Sequence, residues 1–93
     1  MSDNIAERIE QIKLKIEQAK QLPEEKSVTN KIDLMEIFVF FKTKYKENQI
    51  LLNTEGNKDN ATEEEWDRLE LLMPKMEKLI QEIEYKIEDY YLD

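Results

Sequence analysis

The chain has 93 residues with no Cys, no His and a single Gly, and its formal net charge is -8 at pH 7. This composition excludes a disulfide framework, His- or Cys-dependent catalysis, a thiolate zinc site and the glycine-rich loops that bind nucleotide phosphates. The excess of negative charge argues against direct binding to nucleic acid or to an anionic membrane. No segment approaches the ~20 apolar residues that span a bilayer, so we expect a cytoplasmic protein.

The first predicted helix covers residues 4–22 and carries one apolar seam. The scarcity of Gly and Pro already predicts an all-α fold, since a chain of many short strands needs more turn residues. Asn4 is the expected N-cap. The apolar residues of this segment recur at alternating steps of four and three, which is typical of a coiled-coil seam. They are Ile5, Ile9, Ile12, Ile16 and Ala19.

The second predicted helix covers residues 28–53 and contains the most apolar run of the chain, residues 37–41. Two apolar stripes at helical spacing run along it side by side. The first comprises Val28, Ile32, Met35 and Val39, and the second comprises Leu34, Phe38, Phe41, Tyr45 and Leu52. Two stripes predict a helix that packs against at least two neighbours.

The third predicted helix covers residues 62–91. Thr62 followed by Glu65 indicates a capping box at its start. Its apolar residues alternate steps of three and four over more than three heptads, and they are Trp66, Leu69, Met73, Met76, Ile80, Ile83, Ile87 and Tyr90. Pro74 falls outside this seam, so we expect it to kink the helix without ending it.

These elements predict one helical domain over residues 1–93. The second and third helices should form an elongated antiparallel hairpin around a loop at Gly56, with the shorter first helix alongside. A three-helix bundle and a coiled-coil-like oligomer both satisfy the pattern, because the first helix can pack within its own subunit or be swapped onto another. We expect a homo-oligomer.

The functional expectation is a small acidic helical protein that binds another protein as an adaptor, an inhibitor or a chaperone-like factor. We expect no catalysis, cofactor or metal, because carboxylate pairs on amphipathic helices are normally solvated and nothing in the sequence indicates a cleft. The candidate contact residues are apolar side chains outside the seams and exposed or anchoring aromatic residues. They are Leu14, Leu71, Tyr85, Trp66 and Tyr91.

Two alternative functions follow from the charge distribution. A basic cluster directly follows the aromatic run, so Lys42, Tyr45 and Lys46 could bind a small anionic ligand, such as a nucleotide, between subunits. Alternatively, residues 62–93 contain eleven acidic and four basic residues, and this helix could act as an inhibitor that imitates the charge of DNA.

Overall fold

The computed structural model describes residues 4–54 and 61–91, and most of these residues belong to three helices. The helices are α1 (Ile5–Lys20), α2 (Val28–Asn53) and α3 (Glu63–Asp89). No strand occurs within the two described ranges. The predicted all-α fold is therefore confirmed, whereas the predicted loop at Gly56 lies outside the described residues.

Side-chain caps explain where each helix begins. The Asn4 side chain accepts a hydrogen bond from the amide of Ala6 at 2.9 Å, and the Ser27 hydroxyl accepts one from the amide of Asn30 at 3.1 Å. Thr62 and Glu65 form the predicted reciprocal capping box. Because these caps bind amide groups that have no partner within the helix, the sequence locates the helix starts to within one residue.

The α2 and α3 helices form an antiparallel hairpin. Lys26, just before α2, pairs with Asp89 at the end of α3 at a distance of 3.2 Å. Near the same point the Tyr90 hydroxyl donates to the carbonyl of Glu25 at 3.5 Å. The molecule measures 49 × 23 × 19 Å and has a radius of gyration of 14.9 Å, compared with ~12 Å for a compact chain of this length. The expected elongated hairpin is confirmed.

The buried apolar residues of all three helices join in one cluster. Every residue of the α1 seam is buried, as predicted, and the α3 seam contributes Leu69, Met76 and Ile83. Leu72, which the seam pattern omitted, is also buried. The first helix thus packs against its own hairpin within this chain.

The α2 helix buries only one of its two predicted stripes. It does contact both α1 and α3, and Leu34 and Phe41 of the second stripe are buried together with Ile37. The first stripe, however, is not one of the packed faces, since all four of its side chains are exposed. The prediction that α2 packs against at least two neighbours is therefore confirmed, but the first stripe does not form either contact within this chain.

Pro74 lies inside α3, which continues without interruption from Glu63 to Asp89. Its position is exposed, and proline has no amide hydrogen to donate to the carbonyl of Glu70. The kink stays a prediction.

We expect Pro74→Ala to raise the free energy of unfolding by about 1 to 3 kcal/mol, because alanine restores this hydrogen bond and favours the helix.

Chemical denaturation of Pro74→Ala measures this effect, and Lys75→Ala at the adjacent exposed position is the matched control. The control should change stability by no more than ~0.5 kcal/mol. A Pro74→Ala protein that is less stable than the natural sequence would show that the packing of α3 requires the proline bend.

Candidate interaction surface

Four exposed apolar side chains lie in a row along the N-terminal half of α2. Val28, Ile32, Met35 and Val39 are 77%, 51%, 44% and 61% exposed. Their steps of four, three and four place them on one helix face, and at 1.5 Å per residue the row is ~16 Å long. We call these four residues the α2 stripe. A row of exposed apolar side chains on one helix face is a candidate interaction surface.

The two ends of the α2 stripe carry opposite charges. Lys42 and Lys46 continue the same helix face toward its C-terminus, and both are exposed. At the other end, Glu24 and Glu25 are exposed in the segment that precedes the N-cap of α2, Ser27. The side-chain amide of Asn30 donates to the Glu25 carbonyl at 2.7 Å, which holds this residue against the first turn of α2.

The opposite face of α2 contains a buried polar cluster. The guanidinium of Arg8 on α1 is 5% exposed and donates to the Glu47 carboxylate at 2.8 Å. It also lies 3.4 Å from the Oδ1 atom of Asn48. The buried Asn48 side chain lies 3.8 Å from the sulfur of Met76 on α3. One cluster therefore connects all three helices on the side of α2 away from the stripe.

Sequence reasoning missed this cluster, although a signal was present. Arg8 follows Ile5 by three positions and precedes Ile12 by four, so it shares the buried face of α1. Asn48 follows Phe41 by seven positions and shares the buried face of α2 in the same way. A polar residue inside an apolar seam is the expected mark of a buried hydrogen-bonded pair.

The environment of Glu47 lowers its pKa. The hydrogen bond from Arg8 is the main cause, partial burial opposes it, and the charges of Lys44 and Arg8 add to the lowering. The Lys44 ammonium lies 3.5 Å from the same carboxylate oxygen. Glu47 is therefore ionised in the folded protein over a wider pH range than in the unfolded chain.

The predicted contact residues outside α2 are distributed over the other helices. Leu14 lies exposed on α1, and Leu71 and Tyr85 lie exposed on α3; scattered residues of this kind are common on protein surfaces. Tyr91 is also exposed, but the Lys31 ammonium lies 4.0 Å from its ring centroid. Of these four residues, Tyr91 is thus the one that the structure brings beside the N-terminal half of α2.

Trp66 is half-buried and packs against the core. It lines an open groove of about 680 Å³ near the loop end of the hairpin, together with Leu52, Glu63, Glu70 and Met73. Its expected place in the α3 seam is confirmed. Its additional role as a partner contact stays a prediction.

The three predicted ligand residues occupy different environments. Lys42 and Lys46 lie exposed on the face that continues the stripe, and the Lys42 ammonium is 5.2 Å from the ring centroid of Phe38. Tyr45 is half-buried and packs against the core. The two lysines share a face, but Tyr45 faces mainly toward the protein interior, so binding of a small anion by all three stays a prediction.

The described part of the chain also limits two other kinds of site. Within residues 4–54 and 61–91, no group of three or more acidic side chains is arranged to hold a metal ion. Over the same residues, none of the helices combines the length and the apolar composition that crossing a bilayer requires.

The lowered pKa of Glu47 predicts a pH-dependent contribution to stability. A carboxyl whose pKa is lower in the folded state stabilises the protein above the unfolded-state pKa of about 4.3, and this stabilisation is lost as the pH falls through the folded-state pKa. We expect Glu47→Gln to lower the free energy of unfolding at pH 7 by about 1 kcal/mol, after allowance for solvent screening. The difference from the natural sequence should shrink below about pH 4.

Thermal unfolding of both proteins between pH 3 and pH 7 measures this change. Glu64→Gln is the matched control, because Glu64 forms an exposed ion pair with Arg68 at 2.9 Å and such pairs contribute only ~0.3–0.5 kcal/mol. A difference between natural sequence and Glu47→Gln that stays constant down to pH 3 would contradict the assigned role of the Arg8–Glu47 pair.

Comparisons with protein-family models, with curated proteins and with solved structures found no match to this chain.

Proposed function

We propose that this chain is a non-catalytic, acidic helical interaction protein that binds another protein chain through the α2 stripe. The observation that carries the proposal is the exposure of four apolar side chains in one row, from Val28 to Val39, in a chain of which 39% of the residues are charged. Burial of such a row on association removes apolar surface from water, which is the main driving force of most protein–protein contacts.

The shape of the α2 stripe favours a protein over a small molecule as the partner. Small-molecule sites are concave and enclose most of the ligand surface, whereas a row of side chains along one helix is convex. A convex apolar row at helical spacing instead packs against another helix or enters a hydrophobic groove. The adaptor, inhibitor or chaperone-like roles expected from the sequence all require such a contact.

The charge of α3 gives less support to imitation of DNA. The helix contains ten acidic and four basic residues among 27, so its net charge of -6 is spread over ~40 Å. This corresponds to one negative charge per ~7 Å, whereas duplex DNA carries one per ~1.7 Å. The acidic surface of α3 is better suited to keeping the protein soluble and to repelling acidic partners.

The double variant Ile32→Lys/Val39→Lys tests the proposal. Both positions are exposed, so the isolated chain should keep its helical content and its unfolding temperature to within a few degrees. Association should be lost, because the variant places two charges in the contact. The measurement combines native mass by light scattering, over a hundredfold range of protein concentration, with recovery of proteins that co-purify with the tagged chain.

The variant Leu71→Lys/Tyr85→Lys is the matched control, since it changes two exposed apolar residues on α3. It should retain whatever chain the natural sequence binds, whether that chain is a second copy or a different protein. The proposal is overturned if the natural chain stays monomeric and retains no protein, or if both variants lose the bound chain equally.

A further inference from the structure

The proposed function leaves the partner of the α2 stripe unspecified. Resting on that function, we propose that the partner is the α2 stripe of a second copy, packed antiparallel around a two-fold axis. In this pairing Val28 of one copy lies against Val39 of the other, and Ile32 lies against Met35. The same arrangement brings Lys42 of each copy to the level of Glu25 of the other.

The spacing of the stripe is self-complementary. Positions 28 and 35 and positions 32 and 39 form two alternating rows, each with a seven-residue step. In an antiparallel pair of helices, each layer combines a residue from one row with a residue from the other row. When the two-fold axis passes between Ile32 and Met35, the four apolar residues of each copy form four consecutive layers with those of the other copy. Such a contact is isologous and closes at a dimer.

The charges at the ends of the stripe select the antiparallel direction. A parallel pair would place Lys42 opposite Lys42 and Lys46 opposite Lys46, and like charges at such positions repel. The antiparallel pair places Lys42 instead beside the exposed acidic residues that precede α2, Glu24 and Glu25. The neighbouring Lys26 is already paired with Asp89, so its charge does not cancel this attraction.

Other antiparallel registers fit less well. A shift of one heptad toward the C-terminus of α2 places Lys42 opposite Ile32 and Lys46 opposite Val28. A shift of one heptad in the other direction moves Met35 and Val39 beyond the start of the partner helix, opposite residues 25 and 21. Each shift therefore exposes apolar surface or buries an ammonium group, and both changes are unfavourable.

The rest of the fold leaves this face accessible. The residues by which α2 packs on α1 and α3, including Ile37, Phe41 and Asn48, are buried on the opposite side of the helix. Two copies can therefore join through their α2 helices, with α1 and α3 of each copy on the outside. This places the two α2 helices at the centre of a six-helix assembly.

Cysteine cross-linking tests the pairing directly, because the natural chain contains no Cys. The single variants Val28→Cys and Val39→Cys are prepared separately, mixed under reducing conditions and then oxidised. Mixing should yield a disulfide-linked heterodimer. Either variant oxidised alone should stay largely uncross-linked, because identical positions of the two copies lie ~16 Å apart along the axis, beyond disulfide reach.

Cross-linking of Val28→Cys alone, or an absence of heterodimer in the mixture, would overturn the pairing. Light scattering of the natural chain distinguishes a failure of the pairing from a failure of the proposed function. If the chain is monomeric but the Ile32→Lys/Val39→Lys variant loses a different protein, the pairing is wrong and the function stands. If the stripe variant loses nothing that the natural chain binds, both proposals fail.

Charge exchange at the ends of the stripe provides the second test. We expect Glu25→Lys or Lys42→Glu alone to raise the dimer dissociation constant about tenfold at low salt, and the double exchange to restore most of the loss. Lys78→Glu, at an exposed position on α3, is the control and should leave the dissociation constant nearly unchanged. A double exchange that weakens the dimer as much as the two single changes combined would overturn the register.

Discussion

The buried guanidinium of Arg8 is the constraint on which the arrangement of the three helices depends. A buried charge is tolerated only where it is paired and hydrogen-bonded, and Arg8 has Glu47 at 2.8 Å and Asn48 at 3.4 Å. Sliding α1 along α2 by one turn, or rotating α2 by one residue, would separate these groups. Hydrophobic burial alone is less specific in the N-terminal half of α2, because apolar side chains there lie on more than one face of the helix. The polar cluster lies on the buried face of α2, and pairing of Arg8 requires this face to turn inward, which leaves the α2 stripe on the exposed side.

The sequence predicts α1 and α3 well because each helix carries a single seam and a clear N-cap. The α1 seam from Ile5 to Ala19 is wholly buried, and the capping box at Thr62 sets the start of α3. In such helices the apolar face and the polar face differ clearly, so periodicity alone identifies the packed side. Leu72 is the one buried residue of α3 that the predicted seam does not contain. It lies beside the seam and widens the apolar face without changing the spacing of the seam residues.

The α2 helix shows where periodicity stops being sufficient. In the N-terminal half of α2 the two stripes have similar spacing and hydrophobicity, so local periodicity does not rank them. The difference lies in the C-terminal half, where Lys42 and Lys46 continue the first stripe and Tyr45 and Leu52 continue the second. The choice depends on Asn48, which lies on the side of Phe41, and on Arg8, which comes from another helix and supplies the matching hydrogen bonds. A local window of sequence marks Arg8 and Asn48 as polar residues in apolar rows, but it does not show that they pair with each other. The sequence therefore predicts the candidate site only in part. It identifies the residues of the α2 stripe as apolar, but it does not predict that they are exposed.

If the α2 stripe is the contact surface proposed above, it can engage only one partner at a time. Four side chains over ~16 Å form a short contact, and both self-association and the binding of a different protein would cover the same side chains. The two events then exclude each other. A different partner would meet only the monomeric fraction, and its apparent affinity would fall in proportion to that fraction. Self-association would cover the apolar surface when the partner is absent. The dimer dissociation constant would then set the concentration of this protein above which a different partner binds more weakly.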